Sequence, residues 1–394
     1  MAVLGVHKSI TGRRWIGLSD DQHRQAEAIS QITGQKPPVA SVLGRLSIPP
    51  EDVEAYLNPL IRNLLPDPKE LLDVSKAAQR LIGAVNRKER IVVYADYDVD
   101  GATSGAMLVS WFRFFNIEPS IYVPDRIREG YGPNKAAMTR LSSNNELIIC
   151  VDCGTLGHEV LETVREDCDV IILDHHLGSE EDPKCHSIVN PNRQIESGRL
   201  SYLCAAGVTF MFLVSLNREL RSNDWFDKNK IIEPNLINYL DLVSLGTVCD
   251  VVPLIGLNRA IVKQGLKIIK SKKNLGLKTL FDICKIEANP SSYHLGYVLG
   301  PRINAGGRVG KCSHGANLLL NSNPKEVFKL ASELDQYNKE RQMLEKDLVE
   351  KILVKSQINL KDPVLILEGK NLSLIHISEP TRQAEISYAV FCLK

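Results

Sequence analysis

The chain lacks any uninterrupted apolar run of about 18 residues, the length a helix needs to cross a bilayer, so no transmembrane helix is expected. Its opening, MAVLGVHKSITGRRW, has neither the apolar core nor the small-residue cleavage site of a secretory signal. The nine cysteines are scattered and odd in number, which fits reduced thiols in a cytoplasmic chain better than a disulfide framework. The single C-x-x-C, Cys150 and Cys153, has no second pair at zinc spacing, so no zinc site is expected. There is no internal repeat. The formal net charge of +1 neither demands nor forbids a nucleic-acid partner, because only a local patch matters there. What remains is an ordinary soluble composition, 44% hydrophobic and 24% charged, and 394 residues, enough for two or three domains.

Residues 1–66 read as short helices and loops, punctuated by Pro37-Pro38 and Pro49-Pro50, with no chemistry. From Lys69 a helical face of Leu71, Val74, Ala77, Leu81, Ile82 and Val85 begins a periodic region. Strands are then expected at 91–94, 120–123, 147–151 and 170–173, and helices at 103–115, 134–141 and 158–166. This alternation, with near-continuous apolar strands, predicts an α/β fold: a parallel sheet covered by helices on both faces. From about residue 204 to 354 the chain reads as helical, with one helix at 235–248. A long charged helix over 324–354 looks like a connector, and a new strand starts at 363–367.

Ligands bind at the carboxyl ends of strands in such sheets. Three of the expected strands end in acid: Asp96, Asp152 and Asp174, the last followed by His175 and His176. Asp96, Asp98 and Asp100 with Gly101 imitate the start of an EF-hand loop. The twelfth position is Met107 instead of Glu, and a strand precedes the loop, so that reading fails. One acid at a strand end is as often a helix cap as a ligand. Several delivered to one edge, together with imidazoles, suit a borderline-hard divalent ion such as Mn²⁺, and shared carboxylates suit two metals. A fourth acid, Asp250, lies in the apolar run LGTVCDVVPL, where an unpaired charge would be costly.

The stretches DYDVDG, VDCG, LDHH and LGTVCDVVPL resemble the four motifs of the DHH phosphoesterase superfamily. GPRINAGGR at 300–308, with Pro124-Asp125-Arg126, Glu129-Gly130-Tyr131-Gly132, and Leu334-Asp335, Asn338 and Arg341-Gln342, is similar to the RecJ-type single-stranded-DNA-specific exonucleases. The resemblance runs over about residues 40–370. It implies a five-stranded parallel sheet in a catalytic domain over 67–255 and a helical insertion with a connector helix over 256–355. The first strand of a truncated second α/β domain would lie at 356–371.

It also implies two divalent ions, Mn²⁺ or Mg²⁺. One would be held by Asp98, Asp152, His175 and Asp250, the other by Asp96 with Asp152 bridging. Many relatives outside the RecJ group have a histidine where Val92 stands, so the ion at Asp96 would have fewer protein ligands. His176, Asp152 and Asp100 form the expected catalytic set. Asp100 is read either as support for the ligands or as part of an Asp-Gly turn. Asp174 is expected to orient a histidine. Arg126, Arg302, Asn304 and Arg308 are candidate phosphate or DNA contacts. Tyr97 and Tyr131 are candidate stacking rings, with packing the other reading for Tyr97.

The implied activity is metal-assisted 5′→3′ hydrolysis of single-stranded DNA to 5′-mononucleotides, in repair and recombination. A monomer is expected, working with a RecQ-type helicase and a single-strand-binding protein. Rival readings are another DHH phosphoesterase (an oligoribonuclease, a cyclic-dinucleotide phosphodiesterase or a pyrophosphatase) or a non-catalytic RecJ-like scaffold. The GPRINAGGR segment speaks against the first, and the full set of acids and histidines against the second. Residues 372–394, LSLIHISEPTRQAEISYAVFCLK, resemble the translation of a sequencing adapter and are expected to be an artefactual end.

Overall fold

β-Branched and apolar stretches build five strands: β1 (Ile91–Ala95), β2 (Ser120–Tyr122), β3 (Leu147–Val151), β4 (Asp169–Leu173) and β5 (Ser187–Val189). They form one parallel sheet in the order β2-β1-β3-β4-β5. β1 and β3 are buried at every position, which is why they are apolar throughout instead of alternating. The structure is a computed structural model that describes residues 2–355. No helix among the described residues is long and apolar enough to cross a membrane.

The register aligns Ala95, Val151, Leu173 and Val189 across the sheet. One more rung follows. The Asp96 amide donates to the Val151 carbonyl at 3.3 Å, Asp152 to Leu173 at 2.9 Å, and Asp174 to Val189 at 3.1 Å. Three acids therefore stand side by side at the carboxyl edge, one residue past the strands. The chain passes from β1 to β2 on one side and returns to β3 on the other, so the order reverses between β1 and β3. That crevice is the usual ligand position in an open parallel sheet, and Asp96 and Asp152 flank it.

Helices cover both faces. On one, Val92, Tyr94, Ile148, Cys150, Val170 and Ile172 pack with Ala137 and Met138 of helix Lys135–Ser142 and with Leu161. Cys150 and Cys153 belong to this apolar layer, and the hydrogen bond between them together with burial pushes the Cys153 thiol well up. They are core residues, and the cysteines among the described residues are free. On the other face lie helices Val99–Arg113 and Ala205–Ser222, joined by a buried hydrogen bond of 2.9 Å from Trp111 Nε1 to Asn217 Oδ1.

Several elements differ from the sequence expectation. The helix expected from 103 begins at Val99, because the Asp98 side chain caps it by accepting from the Gly101 amide at 3.0 Å. So early a start requires glycine at 101, since a Cβ there would collide with the Asp96 backbone, whose nitrogen would lie 2.8 Å away. Asp98 consequently sits beyond the strand, and does not share a strand face with Asp96. The helix expected over 158–166 stops at Leu161, and the fifth strand that the resemblance implies, β5, lies at Ser187–Val189, where no strand is read from the sequence pattern. The long helix Pro324–Lys355 is not merely a connector. Val327, Ala331 and Leu334 are buried, and this half packs against helices Gly300–Val309 and Leu275–Ile283. The expected strand at 363–367, the second domain at 356–371 and the adapter-like stretch at 372–394 lie outside the described residues.

The chain divides into two compact units, Met1–Leu65 with Leu254–Ala260, and Pro66–Pro253 with the chain from Ile261 onward. In the first, helices Asp20–Thr33 and Pro37–Arg45 pack through Ile29, Ala40 and Leu43, and Ser19 and Gln22 form a capping box. The second holds the sheet.

Helix Leu240–Cys249 approaches helix Val99–Arg113 through Gly246. A Cβ there would lie 2.6 Å from Thr103 Oγ1, 2.7 Å from Asp100 Oδ1 and 2.8 Å from Ala206 Cβ. Gly246→Ala is therefore expected to lower stability by about 1–3 kcal/mol, read as a lower urea midpoint at unchanged slope. A midpoint equal to wild type would show slack between these helices.

Candidate metal centre

Three groups of side chains at this edge bring ligand atoms within 4.8 Å of one another: Asp96, Asp98 and Asp152; Asp152, His175 and His176; Asp100, His175 and Asp250. Asp152 and His175 each belong to two groups. Asp96 and Asp152 come from the extra rung, Asp98 from the helix cap, and the histidines follow Asp174. Asp250 comes from the end of helix Leu240–Cys249. His175 Nε2 lies 3.4 Å from Asp152 Oδ1 and 3.8 Å from Asp100 Oδ2, and its Nδ1 lies 3.7 Å from Asp250 Oδ2. All five residues expected to bind metal stand in these groups, linked through Asp152 and His175, but Asp98 groups with Asp96 and Asp152, and Asp250 with Asp100 and His175. Asp152 adopts a left-handed backbone, φ 61°, a strained conformation of the kind that gathers at functional sites.

The electrostatics call for a cation. Burial, and then the Asp98 charge, push the carboxyls of Asp96 and Asp152 well above the usual range. Asp96 Oδ1 and Asp152 Oδ1 are buried without a hydrogen-bond partner, an arrangement that is costly unless something satisfies it. A divalent ion bound by these oxygens would do so, and carboxylates with imidazole are a fitting donor set for Mn²⁺.

Asp174 takes a different role. Its Oδ1 accepts from the amides of His175 and His176 and stands 2.7 Å from His176 Nδ1, while its Oδ2 accepts from the Thr155 amide and hydroxyl. Burial works against its charge, but the His176 hydrogen bond and the two imidazoles hold its pKa below the usual range. Burial likewise opposes protonation of His176, yet its bond to Asp174 and the surrounding acids lift it to about 9. The Tyr131 hydroxyl lies 2.9 Å from His176 Nε2. Asn190 donates to Thr155 Oγ1 and to the His176 carbonyl, both at 2.8 Å, and Asn192 donates to the His175 carbonyl. Sequence reasoning missed these two asparagines. Their one signal was a polar N-P-N run after the short apolar Ile188-Val189, the same pattern as at the other strand ends.

Asp100 is helical, not part of an Asp-Gly turn. Its Oδ2 accepts from the Ala205 amide at 2.6 Å and its Oδ1 from the Ala206 amide at 2.9 Å. Helix Ala205–Ser222 has no side-chain cap of its own, so Asp100 caps it from another helix. Burial and then Asp98 push the Asp100 carboxyl up to about 7, while the amides pull the other way.

The expected phosphate contacts are placed unevenly. The Arg126 guanidinium lies 4.8 Å over the Tyr97 ring, and its charge acts on Asp96. Arg302 is engaged within the protein, with Asp335 Oδ1 at 2.8 Å and the Val298 carbonyl at 2.7 Å. Asn304 Oδ1 accepts from the Val99 amide at 3.0 Å, so it holds the start of the helix behind Asp98. Arg308 is buried on the same helix. Tyr97 is packing: it is buried, and Gly307 approaches it so closely that a Cβ would lie 3.2 Å from the ring.

A model of the DHH family, N-terminal domain, matches residues 90–247. The single-stranded-DNA-specific exonuclease RecJ of Escherichia coli (strain K12) is 37% identical over 293 residues, 73% of this chain and 51% of that protein. The same-named protein of Bacillus subtilis (strain 168) is 35% identical over 71% of this chain and 34% of its own length. A crystal structure of exonuclease RecJ bound to manganese matches with a TM-score of 0.64 at 31% identity, over 73% of this chain and 70% of that one. RecJ from Thermus thermophilus in complex with Mn²⁺ matches with 0.71 at 27% identity, over 86% and 47%. The sheet with its acidic edge is that of a DHH-domain protein. Within that class, the chain belongs to the RecJ family. It spans about half the length of the Escherichia coli relative.

Asparagine tolerates the left-handed backbone at 152 and removes one of several like charges. Metal-free Asp152→Asn is therefore expected to melt higher than metal-free wild type at pH 8, and to lose the upshift that Mn²⁺ gives the wild type. An upshift as large as that of wild type would mean that Asp152 holds no metal.

Proposed function

We propose that this chain carries the catalytic centre of a metal-dependent exonuclease that degrades single-stranded DNA from the 5′ end to 5′-mononucleotides, in DNA repair and recombination. The observation that supports it most is the convergence of Asp96, Asp98, Asp152, His175 and Asp250 at the carboxyl edge of the sheet. Two divalent ions, Mn²⁺ or Mg²⁺, would be held there, with Asp98, Asp152, His175 and Asp250 as the candidates for one and Asp96 and Asp152 for the other. When bound, they would supply charge neutralisation of the phosphate and a more acidic attacking water.

The chain's own side chains do the remaining work. His176, fixed through Asp174 on one nitrogen and beside Tyr131 on the other, stands where it can meet a phosphate oxygen or the leaving group. Arg126, held over Tyr97 close to Asp96, is placed to fork onto a terminal phosphate. Arg302 and Asn304 support the site from helix Gly300–Val309, and Arg308 of the same helix is a candidate phosphate contact. Asn304 tethers Val99, and Arg302 ties its helix to Asp335. Free thiols fit work in the cytoplasm, where a helicase and a single-strand-binding protein would supply the strand.

With Mn²⁺, 5′-labelled single-stranded DNA is expected to release labelled mononucleotide, and a chelator is expected to stop it. Asp98→Ala should slow release roughly a hundredfold or more. Preference for short oligoribonucleotides over the DNA strand, measured side by side, would overturn this reading in favour of another DHH activity.

A further inference from the structure

The segment His294–Leu299 forms a π-helical turn directly ahead of helix Gly300–Val309. π-Turns are rare and recur at functional sites. The inner side of this one is fixed. Leu295 and Leu299 are fully buried, and Cys249 Sγ donates to the Leu295 carbonyl at 3.4 Å. A Cβ on Gly296 would lie 3.3 Å from Val248. Val248 and Cys249 immediately precede Asp250, so the turn is anchored to the segment that delivers a candidate ligand.

Its outer side carries Tyr293 and Tyr297, 62% and 64% exposed. Single exposed apolar side chains need no explanation, but these two rings stack on each other, with centroids 5.4 Å apart and planes 23° apart. The ring row continues inward. Tyr293 lies 5.9 Å from His294, and His294 lies 6.3 Å from Phe281. Phe281 lines an open cleft of about 550 Å³ whose wall also carries Lys270, Lys285 and Lys272, the last paired with Asp282 at 3.4 Å, and the acid Glu287. Cationic side chains thus line a cleft from which a row of rings leads to the exposed tyrosine pair, on a turn whose inner side is held by the segment that delivers Asp250. Basic grooves lined with aromatic rings are how proteins hold a single strand without reading its sequence.

We propose that Tyr293 and Tyr297 form a stacking platform for the bases of single-stranded DNA whose phosphates pass over the cleft of Lys270, Lys272 and Lys285. This rests on the reading of the chain as a single-strand nuclease, and extends it to a strand-holding site outside the metal centre.

The test measures binding without catalysis. A fluorescein-labelled oligothymidylate of about 20 nucleotides is titrated in EDTA at low salt and followed by anisotropy. Tyr293→Ala with Tyr297→Ala is expected to weaken binding about tenfold or more. Tyr293→Phe with Tyr297→Phe keeps the rings and should stay within about threefold of wild type. The exposed positions should leave the unfolding midpoint of both variants unchanged. Equal binding by the alanine variant, loss of binding in the phenylalanine variant, or no binding by wild type overturns the platform. Mn²⁺-dependent release of mononucleotide by wild type is scored separately. Its absence overturns the nuclease reading, while the anisotropy still decides the platform.

Discussion

Mutual repulsion among buried carboxylates is the constraint on which this structure turns. Asp96, Asp98, Asp152 and Asp250 converge with Asp100 on one edge of a low-dielectric sheet, and Oδ1 of Asp96 and Oδ1 of Asp152 have no hydrogen-bond partner. No side-chain arrangement that served stability alone would gather them, because each buried charge raises the cost of ionising the next. The fold holds the acids where ions can bind and accepts the strain in their absence.

Rigid backbone does the holding. Asp96, Asp152 and Asp174 share one rung of amide hydrogen bonds, so their spacing is that of adjacent strands. Asp98 is fixed by its cap on helix Val99–Arg113, and that helix is pinned at its first residue by Asn304. Glycine at 101 and 246 removes the side chains that would keep these elements apart. The histidines have less regular support, and here polar side chains take over. Asp174, Asn190 and Asn192 bind their backbone and one ring, and Thr155 holds Asp174 and Asn190 in place. A site built this way loses geometry when a backbone contact fails, not only when a ligand is removed.

Much of this was legible because the signals were local. Four apolar runs of strand length, each next to a helical period, announced the sheet, and acids directly after three of them announced its edge. What escaped was either short or distant. β5 has only three residues and begins with serine, so periodicity had nothing to measure. The role of Asp100 depends on amides about a hundred residues away, and Arg302 is committed to an acid on a helix that its own sequence neighbourhood does not mention. The long helix was read from its charged surface, which hid the stripe of Val327, Ala331 and Leu334 that buries its first half. Tyr97 and Asn304 carry the residue types of nucleic-acid contacts, yet packing and a helix start engage them.

The contact between Asp100 and helix Ala205–Ser222 has an electrostatic consequence. An 18-residue helix presents about half a positive charge at its amino end, and here that end is aimed at a carboxylate belonging to the acidic cluster. The helix acts as a counterion that is part of the covalent chain. It cannot be chelated, exchanged or diluted away. One acid is thereby partly offset before any metal arrives, and the ions are left to neutralise the carboxylates that open onto the crevice.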